Sequence, residues 1–520
     1  MITALLLLPT LGGLLAFLLR RNSQRLALLL LVAVGHGGLT AAALLGAPPA
    51  PVLGGWLGLD GLGRLFLGIT SLLFLVASVY AVGYLRREPP DARKDMVEAV
   101  LFVNAPQAVF VACLMLFLGA MTLVVTSRHM GLLWVAVEAT TLASAPLIYF
   151  HRHHRSLEAT WKYLLVCSVG IALALLGTFF LAVATQGPDG VTASLGLDAL
   201  VAGAGRLHLL WLKAGFVFLL IGYGTKMGLA PLHSWLPDAH SEAPSVVSAL
   251  LSGALLNCAF LGILRIQQVL AAAGQGGFGR DLLLVFGLVS MGIGAFFLFG
   301  QGEYKRLLAY SSVEHMGILA LGVGLGGGAV AGAMLHTLNH SLAKAMLFLV
   351  AGNFMSLYRT RSVAGVTGVL RALPLSGTLW VTGLFAITGS PPFGPFVSEL
   401  MVLRGAVDGG RWLVVGLYLG FLAVAFLGMA RAFLGMAQGP AGAPAAALDL
   451  HRVVPAPPGA PAAGPAPSVT RRPGLFGEPA SSVLPPLALG VLVLLLGLWL
   501  PSPVRQLVLD AARALGGGGF

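Results

Sequence analysis

Apolar runs about as long as the hydrocarbon core of a bilayer is thick recur along the whole 520-residue chain, and they constrain its fold more than any other feature. A helix of about 20 apolar residues crosses a membrane. By that measure such runs occupy residues 2–20, 26–46, 62–84, 100–126, 130–150, 161–185, 208–233, 245–265, 281–300, 307–326, 329–357, 374–406, 412–436 and 483–502, so about fourteen spans are expected. In lipid each backbone polar group must be satisfied within the protein, which restricts spans to helices or closed barrels, and runs of this length are helical. The expected class is therefore an all-α polytopic membrane protein. Charged residues make up 10% of the chain, where a soluble protein carries about 25%. The first run is followed, not preceded, by Arg20, Arg21 and Arg25, which marks it as a spanning helix rather than a signal peptide.

The loops alternate in charge. One side receives Arg20/Arg21/Arg25, Arg86/Arg87/Arg93/Lys94, Arg152/Arg155, Lys305/Arg306, Arg359/Arg361/Arg371 and Arg431/Arg452/Arg471/Arg472; the other receives little beyond Arg206. The basic side is expected to face the cytoplasm. Both termini then lie outside, as an even number of spans requires, in what we expect to be a prokaryotic cytoplasmic membrane. The formal charge of +12 follows from these loops and is not a nucleic-acid signature. Residues 438–480, rich in Pro, Ala and Gly without apolar periodicity, read as a cytoplasmic linker to a last helix within 481–520. Cys113, Cys167 and Cys258 stand singly in apolar runs, which excludes a Cys-based metal or iron–sulfur motif and argues against a disulfide frame.

Two spans are interrupted. In residues 213–253 an apolar run carries Lys226 and then meets Gly228, Pro231 and Pro237; in 387–400 another meets Gly389, Pro391, Pro392, Gly394 and Pro395, with Glu399 just beyond. Proline breaks a helix, and broken spans are tolerated where they line a protein-enclosed or wet cavity. Their spacing predicts two five-helix repeats, 100–265 and 281–436, inverted relative to each other and preceded by helices in 1–99. An ionisable residue inside a span is costly and points to function. Those residues are Glu138, Lys226, Glu314, His315, His336, His340, Lys344 and Glu399. His336, His340 and Lys344 recur every fourth residue and share a helix face, which suits a proton relay or an interhelical hydrogen-bond seam. Glu138 and Lys226 are expected to pair. Glu314 and His315 fit either a relay or a seal at a span start. Asp238, His240 and Glu242 are expected to cap the helix that opens at Pro244, with a proton mouth as the other reading. Lys213 reads as a snorkelling surface lysine. The tract His151-Arg152-His153-His154-Arg155 reads as a solvated basic loop rather than a metal tract.

The segments KMGLAPLHSWLPDAHSEAPSVVSALLSG, KRLLAYSSVEHMG and HSLAKAMLFLVAGN resemble the antiporter-like membrane subunits of respiratory complex I, Mrp-type cation/proton antiporters and membrane-bound hydrogenases. SLEATWKYLLVCSVGIALALLGT together with YSSVEHMG is most similar to the F-type group of hydrogenase-4 membrane proteins. The resemblance covers about 100–436. It implies fourteen helices, two inverted repeats and proton translocation without a cofactor or metal in this subunit. It assigns Glu138 as channel glutamate, Lys226 as first-half lysine, His336 and His340 as the central histidines with Lys344 beside them, and Glu399 as the terminal charged residue. Asn257 departs from it, standing where several relatives carry lysine, so the connection between halves must use water or another residue. The function implied is a proton-translocating subunit of a redox-driven, complex I-like complex of the membrane-bound [NiFe]-hydrogenase type, with redox chemistry in partner membrane subunits. The competing readings are an Mrp-type sodium/proton antiporter subunit without a redox partner and a non-pumping scaffold. The implied surroundings are other membrane subunits, the lipid bilayer and protons or sodium, not nucleic acid.

Overall fold

The computed structural model describes residues 1–88, 93–94, 101–186, 194–439 and 477–518. Most of the expected linker, 438–480, lies outside the described residues. The helices are α1 (Ile2–Leu18), α2 (Asn22–Leu45), α3 (Gly61–Arg87), α4 (Gln107–Thr126), α5 (Met130–Ile148), α6 (His154–Ala184), α7 (Leu197–Ala202), α8 (Leu209–Met227), α9 (Trp235–Glu242) and α10 (Ser245–Leu250). They continue as α11 (Leu256–Ala272), α12 (Gly276–Leu298), α13 (Tyr304–Leu325), α14 (Gly328–Tyr358), α15 (Val369–Ala372), α16 (Pro374–Ile387), α17 (Gly394–Asp408), α18 (Trp412–Ala437), α19 (Ala480–Leu498) and α20 (Ser502–Arg513). Twelve helical segments among the described residues are long and apolar enough to cross a membrane, counting α10 and α11 as one. The remaining two expected spans are shorter: α1 has 17 residues, and 374–406 is split into α16 and α17, of 14 and 15. The chain is an integral membrane protein of helices.

Glycine sets the closest helix crossings. A Cβ on Gly222 of α8 would come within 2.6 Å of the Ala174 nitrogen of α6, and one on Gly317 of α13 within 2.7 Å of the Gly287 carbonyl of α12. In lipid, helix association depends on such close approach of backbones. This is one use of the 70 glycines.

Both expected breaks are present. After α8, Gly228 adopts the left-handed conformation (φ 85°) that ends the helix. After α16, Gly389 is also left-handed (φ 62°), and Pro395 sits in the first turn of α17. A third discontinuity was not expected: residues Leu251–Leu255, between α10 and α11, form a π-helical turn. The apolar run ends at Pro501, and the amphipathic helix α20, also not expected, follows and packs on α3 and α14.

The return of the chain at α19 is fastened by one buried carboxylate. Glu478 accepts hydrogen bonds from the Leu375 and Ser376 nitrogens at 2.8 and 3.1 Å, capping the start of α16 from a hundred residues further on. Asn353 of α14 joins the same knot, bonding Ser376 Oγ at 2.9 Å and the Ser482 carbonyl at 3.0 Å.

Candidate functional site

The interior holds two clusters of ionisable side chains built on one plan. In the first, Lys226, in the last turn of α8, is fully buried and donates to the Val137 carbonyl at 3.0 Å and to the Thr141 hydroxyl, both on α5. In the second, Lys344 of α14 is fully buried and donates to the Leu308 carbonyl at 2.8 Å and to the Ser311 hydroxyl, both on α13. In each, the helix that supplies the acceptors also carries a glutamate, Glu138 or Glu314. Each lysine thus keeps its donors partly satisfied by neutral groups, which lowers the cost of burying an ammonium.

The expected direct pair of Glu138 and Lys226 does not form. Thr141 Oγ1 stands between them: it receives the lysine's hydrogen bond and donates its own to Glu138 Oε2 at 3.1 Å. Glu138 is half-buried and also accepts from Ser168 of α6 at 3.2 Å. A half-buried carboxylate retains part of its solvation, so it does not require the ammonium as a direct partner. Tyr163 lies beneath, its ring centroid 5.9 Å from Lys226 Nζ.

Glu314 and His315 do not seal a helix end. They sit mid-way along α13, buried at 3% and 1% exposure. His315 Nδ1 lies 2.9 Å from His336 Nε2 of α14, and His336 Nδ1 lies 3.0 Å from Ser398 Oγ of α17. His340 continues the face, its ring 5.0 Å from that of His315 and 6.4 Å from that of His336. Neither ring nitrogen of His340 is hydrogen-bonded. Lys344 is the next member of the row, with Glu314 as its facing acid. Glu399, on the first turns of α17, is buried at 5%, and its Oε1 has no hydrogen-bond partner among the described residues.

Between the clusters lies the π turn. Asn257 donates to the Gly253 carbonyl at 2.7 Å and to Ser341 Oγ of α14 at 2.8 Å. Ser252 Oγ meets Ser312 Oγ of α13 at 2.9 Å, and the Ser252 carbonyl faces the His340 ring without closing a hydrogen bond. A π turn shifts carbonyls out of the regular ladder, and such turns recur at functional sites. A Cβ on Gly253 would stand 3.0 Å from the Ser341 carbonyl, so glycine permits α14 to lie against this turn.

Asp238, His240 and Glu242 do not cap α10, whose N-cap is Pro244 without a side-chain bond. They occupy α9 and take other partners. Asp238 pairs with Lys162 of α6 at 3.1 Å and with Arg306 of α13 at 2.5 Å. Glu242 pairs with Arg361 and lies 3.5 Å from His153. His240 is fully buried, stacked on Phe348 of α14 at 4.9 Å with both nitrogens unbonded. The His151–Arg155 tract is not simply solvated: His153 is buried and caps α6, accepting from the Ser156 nitrogen at 3.3 Å, and His151 bonds Asn104 at 2.8 Å. Lys213 lies half-buried with its ammonium 5.3 Å from the Phe278 ring centroid.

Some charges at the helix ends are paired. Arg265 of α11, 1% exposed, forks onto Asp60 at the N-cap of α3, with Nη2 2.8 Å from Oδ1. Burial alone would raise the Asp60 pKa, but the Arg265 guanidinium outweighs it and holds the carboxyl down at about 2.

Sequence reasoning missed Thr141, Ser168, Ser252, Ser311 and Ser398, and the burial of His240 against Phe348. Hydroxyls in apolar helices commonly bond their own backbone, as Thr122 does to the Leu118 carbonyl, so their presence alone singles out none.

Residues 127–426 match the family described as NADH:quinone oxidoreductase/Mrp antiporter, transmembrane. The hydrogenase-4 component F homolog of Methylacidiphilum infernorum (isolate V4) is 38% identical over 364 residues, which are 69% of this chain and 72% of that protein. The chain spans about half the length of several other curated relatives it matches. In fold it is similar to a chain of the archaeal membrane-bound sulfane sulfur reductase (TM-score 0.82, 20% identity, 99% and 97% of the two chains). A chain of the Mrp complex from Dietzia sp. DQ12-45-1b is likewise similar (TM-score 0.79, 21% identity, 99% and 97%). The chain belongs to the NADH:quinone oxidoreductase/Mrp antiporter family of transmembrane subunits.

Proposed function

We propose that this chain translocates protons as an antiporter-type membrane subunit of a complex I-like, redox-driven complex, of the membrane-bound hydrogenase type. Charge moves laterally along Glu138, Lys226, the π turn, His340, Lys344 and His336 to Glu399. The observation that carries the reading is the repeated arrangement of a fully buried lysine held only by a carbonyl and a hydroxyl, with a glutamate on the accepting helix. A buried lysine without a permanent counter-ion can release and recover its proton at accessible cost. Thr141 can pass a proton between Glu138 and Lys226, since a hydroxyl both donates and accepts. The two interrupted spans fit two inverted five-helix repeats, 100–265 and 281–436, with the basic loops on the cytoplasmic side and both termini outside. The 38% identity to a hydrogenase-4 component F homolog favours the hydrogenase type over the Mrp type; the likeness to the Mrp chain is one of fold.

The test is proton uptake by vesicles holding the assembled complex, normalised to its amount. Lys226→Ala is expected to abolish uptake while assembly persists. Uptake by Lys226→Ala at the wild-type rate would overturn the reading. Lys226→Arg should fail as well, because a guanidinium does not release its proton at accessible pH.

A further inference from the structure

His315, His336 and Glu399 come from three helices, α13, α14 and α17, and one ring nitrogen of each histidine and a carboxylate oxygen all lie within 4.8 Å of one another, buried. The facing nitrogens, His315 Nδ1 and His336 Nε2, are 2.9 Å apart. The outer nitrogen of His336 meets Ser398 Oγ, and the Ile387 carbonyl faces the His315 ring. Metal-ligating histidines in proteins hold their second nitrogen in this way, which fixes the tautomer and ring orientation. With the N–H groups on those outer nitrogens, both inner nitrogens are left with lone pairs to offer a metal. The Glu399 carboxylate, buried and with one oxygen free of any hydrogen-bond partner among the described residues, completes the set.

We propose that His315, His336 and Glu399 form a three-ligand site for a transition-metal dication of the zinc class, and that its occupation stops charge movement through the second half of the axis. Ligands on one tetrahedral zinc stand roughly 3.3–3.5 Å apart, given bond lengths of about 2.0–2.2 Å. The facing nitrogens, 2.9 Å apart, need to open by a few tenths of an ångström to take up that spacing. Two imidazoles and one carboxylate select zinc, cobalt or nickel over hard cations, which take oxygen ligands. The His340 ring lies 5.0 Å from that of His315, on the same face of α14 as His336. The second clause of the proposal rests on the transport reading above; the first does not.

The experiment uses the full chain in lipid nanodiscs, equilibrated with zinc or cobalt and then freed of excess metal. One tightly held zinc per chain is expected, with two nitrogens and one protein carboxylate oxygen at about 2.0–2.2 Å by X-ray absorption. Cobalt should give the intense visible bands of a tetrahedral site, which requires no variant. His336→Gln should lose the bound metal, and Ser398→Ala should weaken it about 10–100-fold through the supporting hydrogen bond. Absence of bound metal, retention of full zinc by His336→Gln, or displacement by millimolar sodium would overturn the site. Proton uptake by the zinc-loaded wild type reads the second clause separately. Its arrest is expected, and uptake that continues with zinc in place would overturn the transport role of this cluster while leaving the metal site standing.

Discussion

The ion-paired acids at the helix ends and the charges in the interior are held in opposite ways. Four acids at the ends have a partner of opposite sign: Asp60 with Arg265, Asp238 with Lys162 and Arg306, Glu242 with Arg361, Asp198 with Arg128; Glu478 and Lys305, also at helix ends, are held by neutral groups. Inside, Lys226 and Lys344 are held by carbonyls and hydroxyls, His240 and His340 by no hydrogen bond, and Glu399 Oε1 by none. A permanent ion pair fixes the protonation of both members, because each stabilises the charged form of the other. A charge held by neutral groups keeps both protonation states within reach. The ends are therefore suited to hold helices in place, and the interior to exchange protons. The distinction separates stability from transport, and each of the following substitutions should move one and not the other.

The largest effect is expected inside. Lys344→Ala should remove proton uptake as completely as Lys226→Ala, with both proteins assembling normally. The lysine is costly where it sits, and a small apolar side chain relieves that cost. The Leu308 carbonyl keeps a bond from Ser312 Oγ at 3.1 Å. Uptake and the yield of assembled complex, measured on the same vesicles, check this. Loss of assembly with uptake per complex unchanged would show that interior lysines hold the bundle and would collapse the comparison.

Next comes Asp60→Asn at the end of the bundle. It leaves Arg265, 1% exposed, without its counter-charge, and breaking such a pair costs about 3–5 kcal/mol. Thermal unfolding in detergent should shift down strongly, while uptake per folded complex stays near wild type. The pH dependence has a defined sign. The Asp60 pKa is lowered from 3.8 to about 2 on folding, so the pair contributes fully above about pH 4 and its contribution is lost as pH falls through about 2. Asp60→Asn should flatten that part of the stability curve.

These expectations differ in how much of them the sequence carries. Glu138, Lys226, Lys344 and Glu399 are legible because a charged residue in an apolar run has few structural explanations. The two breaks are legible because glycine and proline cluster there. Their partners are not. Thr141 is one of many hydroxyls in apolar helices, and only the crossing of α5 with α8 puts it against Lys226. His315 and His336 meet across two helices, and their pairing depends on rotation about each axis, which no local spacing encodes. The π turn at 251–255 adds a residue to a helix without a glycine–proline signature. The capping of α16 by Glu478 depends on where the chain returns after a long segment. Asp238 and Glu242 look like cap residues locally, yet cations on other helices claim them.

A smaller effect tests the bridge in the first cluster. Thr141→Val keeps the shape of the side chain and removes the hydroxyl that joins Lys226 to Glu138. The lost hydrogen bond is one to a charged group, worth about 1.5–3 kcal/mol. If it contributes to the barrier for proton exchange, uptake should fall roughly tenfold or more, since about 1.4 kcal/mol is a factor of ten. Thr141→Ser should restore most of it. Equal rates for the valine and serine proteins would mean that the proton passes between Glu138 and Lys226 by another route.

The smallest effect is expected at Asn257, and it sharpens how the halves connect. The Asn257 side chain does not itself carry charge across, because an amide has no exchangeable charge at accessible pH. In this chain Asn257 bonds the Gly253 carbonyl and Ser341 Oγ, while the Ser252 carbonyl is the group turned toward His340. Ser341 keeps a second bond, to the Thr337 carbonyl at 2.6 Å, so it is not orphaned when the amide is removed. Asn257→Leu should therefore cost about 0.5–1.5 kcal/mol of stability, the net worth of an ordinary hydrogen bond. Uptake should remain within a few-fold of wild type, because the π turn that presents Ser252 is built from backbone and persists. A loss of uptake as deep as that of Lys226→Ala, with the complex still assembled, would place the crossing at the amide and remove the π turn from the path.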